Sequence, residues 1–190
     1  MAITLSKNQT ISLEKTAGSS LTKITMGLGW DPVKKSGGFL SKLLSGGDES
    51  IDLDASCLVL DSNKDPIDVV WFQQLKSKDG SIKHSGDNRT GEGEGDDESI
   101  FVDLKALPSS AKYLAFTVNS FTGQNFEQVA NAYCRIVNGS NNSELARFNL
   151  SEKGRHTGVL MAYMVRNGSD WNLTSVGSVA NGRTVKDLVA

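Results

Sequence analysis

Three features of the chain predict an all-β fold, a sandwich or a barrel. Ten short runs are β-branched or alternate apolar with polar residues. They are TISL (10–13), TKITMGLG (22–29), IDLDASCLVLD (51–61), DVVWFQQ (68–74), SIFVDL (99–104), KYLAFTVN (112–119), AYCRIVN (132–138), LARFNL (145–150), HTGVLMAYMVR (156–166) and DWNLTSVGSV (170–179). Turn-rich clusters such as SNKD, SKDG, NGSNN and RNGSD separate them. Helix signals are scarce: NFEQVANA, capped by Asn125, and TVKDLVA, capped by Thr184, each predict about one turn.

The 190 residues and 20.4 kDa suit a single domain. With 38% hydrophobic and 22% charged residues the chain can bury a core, which excludes collagen-like, coiled-coil and wholly disordered readings. No apolar run approaches the roughly 18 residues of a membrane span. The N-terminal MAITLSKNQTISLEK lacks a positive segment followed by an apolar one, which predicts a cytoplasmic protein without a signal peptide. Residues 33–50, VKKSGGFLSKLLSGGDES, read as a flexible Gly- and Ser-rich insertion around a short apolar island. Lys34, Lys35 and Lys42 also allow that insertion to touch a partner or an anionic surface.

The two cysteines, Cys57 and Cys134, sit in apolar runs and read as small buried hydrophobes. His84 and His156 have no neighbours in sequence that complete a His/Cys metal site, so zinc is not expected. Trp30, Trp71 and Trp171 lie in strand-like runs and read as core.

The formal net charge of −2 hides an uneven distribution. Residues 86–98, GDNRTGEGEGDDE, hold Asp87, Glu92, Glu94, Asp96, Asp97 and Glu98 against Arg89 alone. Residues 48–54 add Asp48, Glu49, Asp52 and Asp54 with no base. Setting aside these ten acids and one base leaves 12 acids against 19 bases, a remainder of +7. The near-neutral total argues against a nucleic-acid partner.

Carboxylates crowded into one turn repel each other, and solvent, protonation or a cation must offset that repulsion. Glycines at 86, 91, 93 and 95 let the backbone coil and turn carbonyl oxygens inward. Carboxylates, carbonyls and the Asn88 amide form an all-oxygen set, which suits calcium, a hard cation taking roughly 6–8 oxygens, better than magnesium. On a strand, Asp52, Asp54 and Ser56 share one face while Ile51, Leu53, Ala55 and Cys57 share the core face. The D-x-D-x-S spacing is not an EF-hand, since its sixth position is Cys57 and its twelfth Asn63. A solvated acidic loop is the competing reading. A phosphate cradle is excluded by the absence of Lys in GEGEGDDE. A carboxylate-based hydrolase stays open, and would need a sugar-sized cleft beside the acids. Thiol-based capture is the third alternative, weakened by the apolar setting of both cysteines.

Several segments together resemble the TerD family of bacterial tellurium-resistance and stress-response proteins. They are GLGWD (27–31), IDLDAS (51–56), HSGDNRTGEGEGDDE (84–98) and NAYCRIVN (131–138), with SLEK near the N-terminus and ELARFNLSE at 144–152. The resemblance covers essentially the whole chain, 1–190, as one domain. GLGWDPVKK, the Gly-rich insertion and AFTVNSFTGQNF (115–126) are similar to the TerZ-like branch. The resemblance implies a β-sandwich of two antiparallel sheets with one or two short helices, and bound calcium, usually two ions. It implies a cytoplasmic, non-enzymatic protein acting with other Ter-family proteins, including a membrane Ter protein at the inner face. The calcium ligands it implies are Asp31, Asp52, Asp54, Asp87, Asn88, Glu92, Glu94, Asp96, Asp97 and Glu98. The insertion at 33–50 departs from the family pattern by lengthening the loop between Asp31 and Asp52. Glu94 also departs, standing where other members often carry Asp.

Overall fold

The computed structural model describes residues 2–32, 52–87, 95–151 and 153–188. Among the described residues, twelve strands form two six-stranded sheets. In chain order they are β1 (Ile3–Thr4), β2 (Thr10–Ser12), β3 (Lys23–Pro32), β4 (Leu53–Leu60), β5 (Pro66–Val70), β6 (Ile82–His84), β7 (Glu98–Asp103), β8 (Tyr113–Ser120), β9 (Val129–Asn138), β10 (Glu144–Asn149), β11 (Gly158–Asn167) and β12 (Asp170–Ala180). One sheet has the order β1-β10-β9-β3-β7-β6 and the other β2-β12-β11-β8-β4-β5. Every neighbouring pair is antiparallel except the two-residue β1 against β10. The expected β-sandwich of antiparallel sheets is therefore present, with one short parallel edge.

Period-two alternation explains the layers. In β7, Glu98, Ile100 and Val102 are buried while Phe101 is exposed. In β9, Cys134 and Ile136 are buried between half-exposed neighbours. Leu53, Ala55 and Cys57 of β4 join Phe116 and Val118 of β8 in the core. The three tryptophans are buried, as their runs predict. Both cysteines are free and buried, on β4 and β9.

Helix is confined to short pieces. Helix α1 (Leu13–Ala17) follows β2 directly: Ser12 caps it by accepting from the Lys15 N–H at 3.1 Å, and Gly18 ends it at φ 69°. The segment after Asn125 makes a 3-10 turn over Phe126–Gln128 only; Val129 onward belongs to β9, because pairing with β3 outweighs continued helix. A second 3-10 turn spans Val185–Leu188, where the Asp187 carboxylate accepts from the Thr184 and Arg183 N–H groups at 2.9 Å. The insertion expected at 33–50 lies outside the described residues.

Candidate metal centre

The site gathers where β4 loses its neighbour. Strand β5 pairs with Cys57 through Leu60 only, so among the described residues Leu53–Ser56 have β8 on one side and no strand on the other. Two side chains of the opposite sheet fill that edge. The Ala55 N–H donates to Glu98 Oε2 at 2.7 Å, and His84 Nε2 lies 3.0 Å from the Ala55 carbonyl. An amide and a carbonyl that a strand would have paired are thus satisfied by β7 and β6 side chains. His84 Nε2 also lies 3.3 Å from Glu98 Oε2. Its Nδ1 accepts from the Gly86 N–H at 3.0 Å. That bond fits the neutral ring with its proton on Nε2. Burial lowers the His84 pKa, but the hydrogen bond and charge of Glu98 outweigh it and raise the imidazole above its ordinary value.

Three carboxylates converge beside this latch. Asp52, Asp54 and Asp87 each place a carboxylate oxygen within 4.8 Å of the others. Asp54 is only 4% exposed, and among the described residues its Oδ2 has no hydrogen-bond partner. Burial first, then the charges of Glu98, Asp52 and Asp87, push its pKa up to about 7, against a smaller lowering by His84. The sequence placed Asp54 at a strand end facing outward; the structure buries it. A buried carboxyl oxygen without a partner, facing two more carboxylates, is the chemistry of a cation site.

The other expected ligands divide. Asp31 is exposed near the end of β3 and accepts from Asn131 Nδ2 at 3.0 Å. Asp97 accepts from the Trp30 N–H at 2.8 Å. Burial raises the Asp97 pKa, Trp30 opposes, and the charges of Asp31, Glu98 and Asp96 add to the rise. Glu98 points into the core, as its place in the alternation of β7 requires. Asp96 turns to the outer face of the other sheet, where its Oδ1 accepts from Arg135 Nε at 2.8 Å and from Tyr133 Oη at 3.1 Å. Arg135 continues to Glu144 at 3.0 Å, Glu144 binds Arg147, and Arg147 stacks 4.2 Å over the Tyr133 ring. Asn88, Glu92 and Glu94 lie outside the described residues.

The GLGWD motif now has a reason. A Cβ on Gly27 would collide with the Asp96 carboxylate, and one on Gly29 with the Tyr133 ring. The two glycines open β3 so that this network can lie flat on it. Sequence reasoning missed His84 as part of the site. The available signal was the I-K-H alternation of β6, which puts His84 on the buried face with Ile82.

The alternative chemistries can be set beside the described geometry. A cavity of about 410 Å³ opens by β5, lined by Leu58, Ile67, Val69, Gln74 and Val185 among others, and none of the expected ligands among the described residues borders it. Burial pushes the Cys134 thiol up to about 12 and raises Cys57 as well, so neither is a thiolate at neutral pH. Among the described residues no helix is long and apolar enough to cross a membrane.

Comparison with known proteins gives a consistent picture. A family model described as TerD domain matches residues 1–190. The chain is 51% identical over 186 residues to the tellurium resistance protein TerZ of Serratia marcescens, covering 98% of this chain and 94% of that protein. It is 42% identical to the stress response protein SCP2 of Bacillus subtilis (strain 168), covering 100% of this chain and 98% of the relative. Among solved structures, the homologue of telluride resistance protein (TerD) from Streptomyces coelicolor A3(2), SCO6318, superposes with a TM-score of 0.69. It is 22% identical, and 87% of this chain and 94% of that chain are covered. At that identity the likeness is one of fold.

Proposed function

The chain belongs to the TerD domain family of tellurium-resistance and stress proteins, and on that premise we propose that it is a calcium-binding, non-catalytic interaction module of a bacterial tellurium-resistance or stress-response system. The observation that carries the metal reading is Asp54, whose buried Oδ2 has no partner among the described residues and whose carboxylate lies beside those of Asp52 and Asp87. A divalent cation there would offset the mutual repulsion of these carboxylates. An all-oxygen donor set favours calcium over softer metals.

The proposed ligand set centres on Asp52, Asp54 and Asp87, extended by Asn88, Glu92 and Glu94. Asp31, Asp97, Glu98 and Asp96 form the proposed second group, giving two ions. Two calcium ions would take the formal charge from −2 to +2. The ions thereby set the charge of the surface offered to partners, proposed to be other Ter-family proteins, one of them membrane-bound at the inner face, with no nucleic acid involved. The proposed location is cytoplasmic, peripheral at that membrane.

Binding to the folded state alone stabilises it by mass action, by about 2.7 kcal/mol at a hundredfold excess of ligand over Kd. Thermal melts with calcium and with chelator test this: the midpoint should rise with calcium and less with magnesium. Identical midpoints would sink the proposal. Calorimetric titration should count two ions.

A further inference from the structure

We infer that His84 is a positioning residue for the cation site, a spacer whose two ring nitrogens set the separation of Asp54 from Asp87. The inference rests on the metal reading above. Asp54 belongs to β4 in one sheet, and Asp87 follows β6 in the other. No covalent link shorter than the intervening chain joins them. The imidazole does so in one step: Nε2 meets the carbonyl of Ala55, next after Asp54, at 3.0 Å, and Nδ1 meets the N–H of Gly86, next before Asp87, at 3.0 Å.

The ring is rigid and 93% buried, so its width is transmitted to both backbones. Glu98 completes the clamp by holding the Ala55 N–H, the amide of the peptide that Asp54 begins, at 2.7 Å. Gly86 has φ 111°, a conformation that suits glycine and turns its N–H back onto the ring. The three carboxyl oxygens lie within 4.8 Å of one another, and these contacts fix the backbone beside two of them, Asp54 and Asp87. His84 itself needs no open lone pair for the metal, since Nδ1 is taken by Gly86 and Nε2 carries the proton. It acts through the ligands, as groups around a metal shell do.

The test uses the full chain. Nitrogen-15 NMR of the metal-free protein should show His84 as the Nε2–H tautomer, with Nδ1 coupled through its hydrogen bond to the Gly86 amide. The Nδ1–H tautomer overturns the inference whether or not metal binds. Calcium affinity is then measured by calorimetry for wild type, His84→Ala, His84→Gln and His84→Asn, alongside urea stability. Gln places an amide where Nε2 stands and Asn an oxygen where Nδ1 stands, so each restores one end of the spacer.

Affinity should fall about tenfold or more in His84→Ala. It should recover partly in the Gln and Asn variants, in an order that does not follow their stabilities. Affinity that tracks stability across the folded variants, or a folded His84→Ala that keeps affinity within about threefold of wild type, overturns the spacer role. If His84→Ala does not fold, the NMR signature and the Gln and Asn variants decide. Wild-type protein that takes up no calcium overturns the metal reading, and the spacer's purpose with it, even where the Nε2–H signature is found.

Discussion

Asp54 and Asp96 are both acids of the expected ligand set, yet the protein treats them in opposite ways. Asp96 lies on the outer face and is neutralised from within the chain, by Arg135 at 2.8 Å and the Tyr133 hydroxyl at 3.1 Å. Asp54 is nearly fully buried beside Asp52 and Asp87, and no Lys or Arg among the described residues pairs with it; His84, whose ring contacts the Ala55 carbonyl, only partly offsets the surrounding negative charge. The difference locates the demand for an external cation. At Asp96 the fold supplies a guanidinium as counter-charge. At Asp54 the described residues supply further carboxylates, and the proposed cation is what would balance them.

The largest effect expected from breaking this contrast is at Asp54. Its folded pKa, near 7, lies above its unfolded value, so its cost to folding grows as pH rises above the unfolded pKa and is full once pH exceeds about 7. In chelator at pH 8, Asp54→Asn should be more stable than wild type, by an amount on the order of 2–4 kcal/mol. The gap should close as pH falls through about 7 towards the unfolded pKa, where wild-type Asp54 is protonated in both states. Saturating calcium should reverse the order at neutral pH, since only wild type keeps the ligand. Urea titrations across pH, with and without calcium, read all three outcomes. A variant that stays below wild type in chelator at every pH contradicts the contrast.

Next in size are the glycines that accommodate the neutralised side. Gly27→Ala and Gly29→Ala should each cost about 1–3 kcal/mol, because the new methyl meets the Asp96 carboxylate or the Tyr133 ring. Urea midpoints measure the loss, and Tyr133→Ala should relieve much of it in Gly29→Ala. Arg135→Gln should cost about 1 kcal/mol, a modest figure because the ion pair is partly exposed and salt-screened. It should also make stability more responsive to calcium, as Asp96 joins the carboxylates that lack a protein cation; thermal melts in chelator and calcium check this. The smallest effect is at the thiols. Cys57 and Cys134 should resist alkylation in the native state and react only in denaturant, as mass spectrometry would show.

Much of the fold was legible because period-two alternation survives in long strands. All ten predicted runs contain or become strands, and the sandwich follows from their two inward faces. The pieces missed are those with too little sequence to carry a pattern. Strand β1 has two residues and β6 three. Helix α1 was hidden at the end of a strand-like run, and it is held partly by Asp170, which accepts from the Glu14 N–H from far along the chain.

Within the site, Asp52 and Asp54 could be placed on one face by spacing alone. Asp87 joins them only through tertiary packing. Glu98 was counted with the acidic loop, although E-S-I-F-V already alternates from it and marks it as inward-facing. The pairing of Asp96 with Arg135 spans 39 residues and has no local signature.

The open flank of β4 has one more consequence. An unpaired strand edge offers its N–H and C=O groups to any extended chain that approaches, and such edges seed aggregation. At Ala55 both groups are already occupied, by Glu98 and His84. The side chains that organise the acidic cluster therefore also close the place where a second molecule could add a strand, and a protein stripped of that latch would be expected to meet its own copies there.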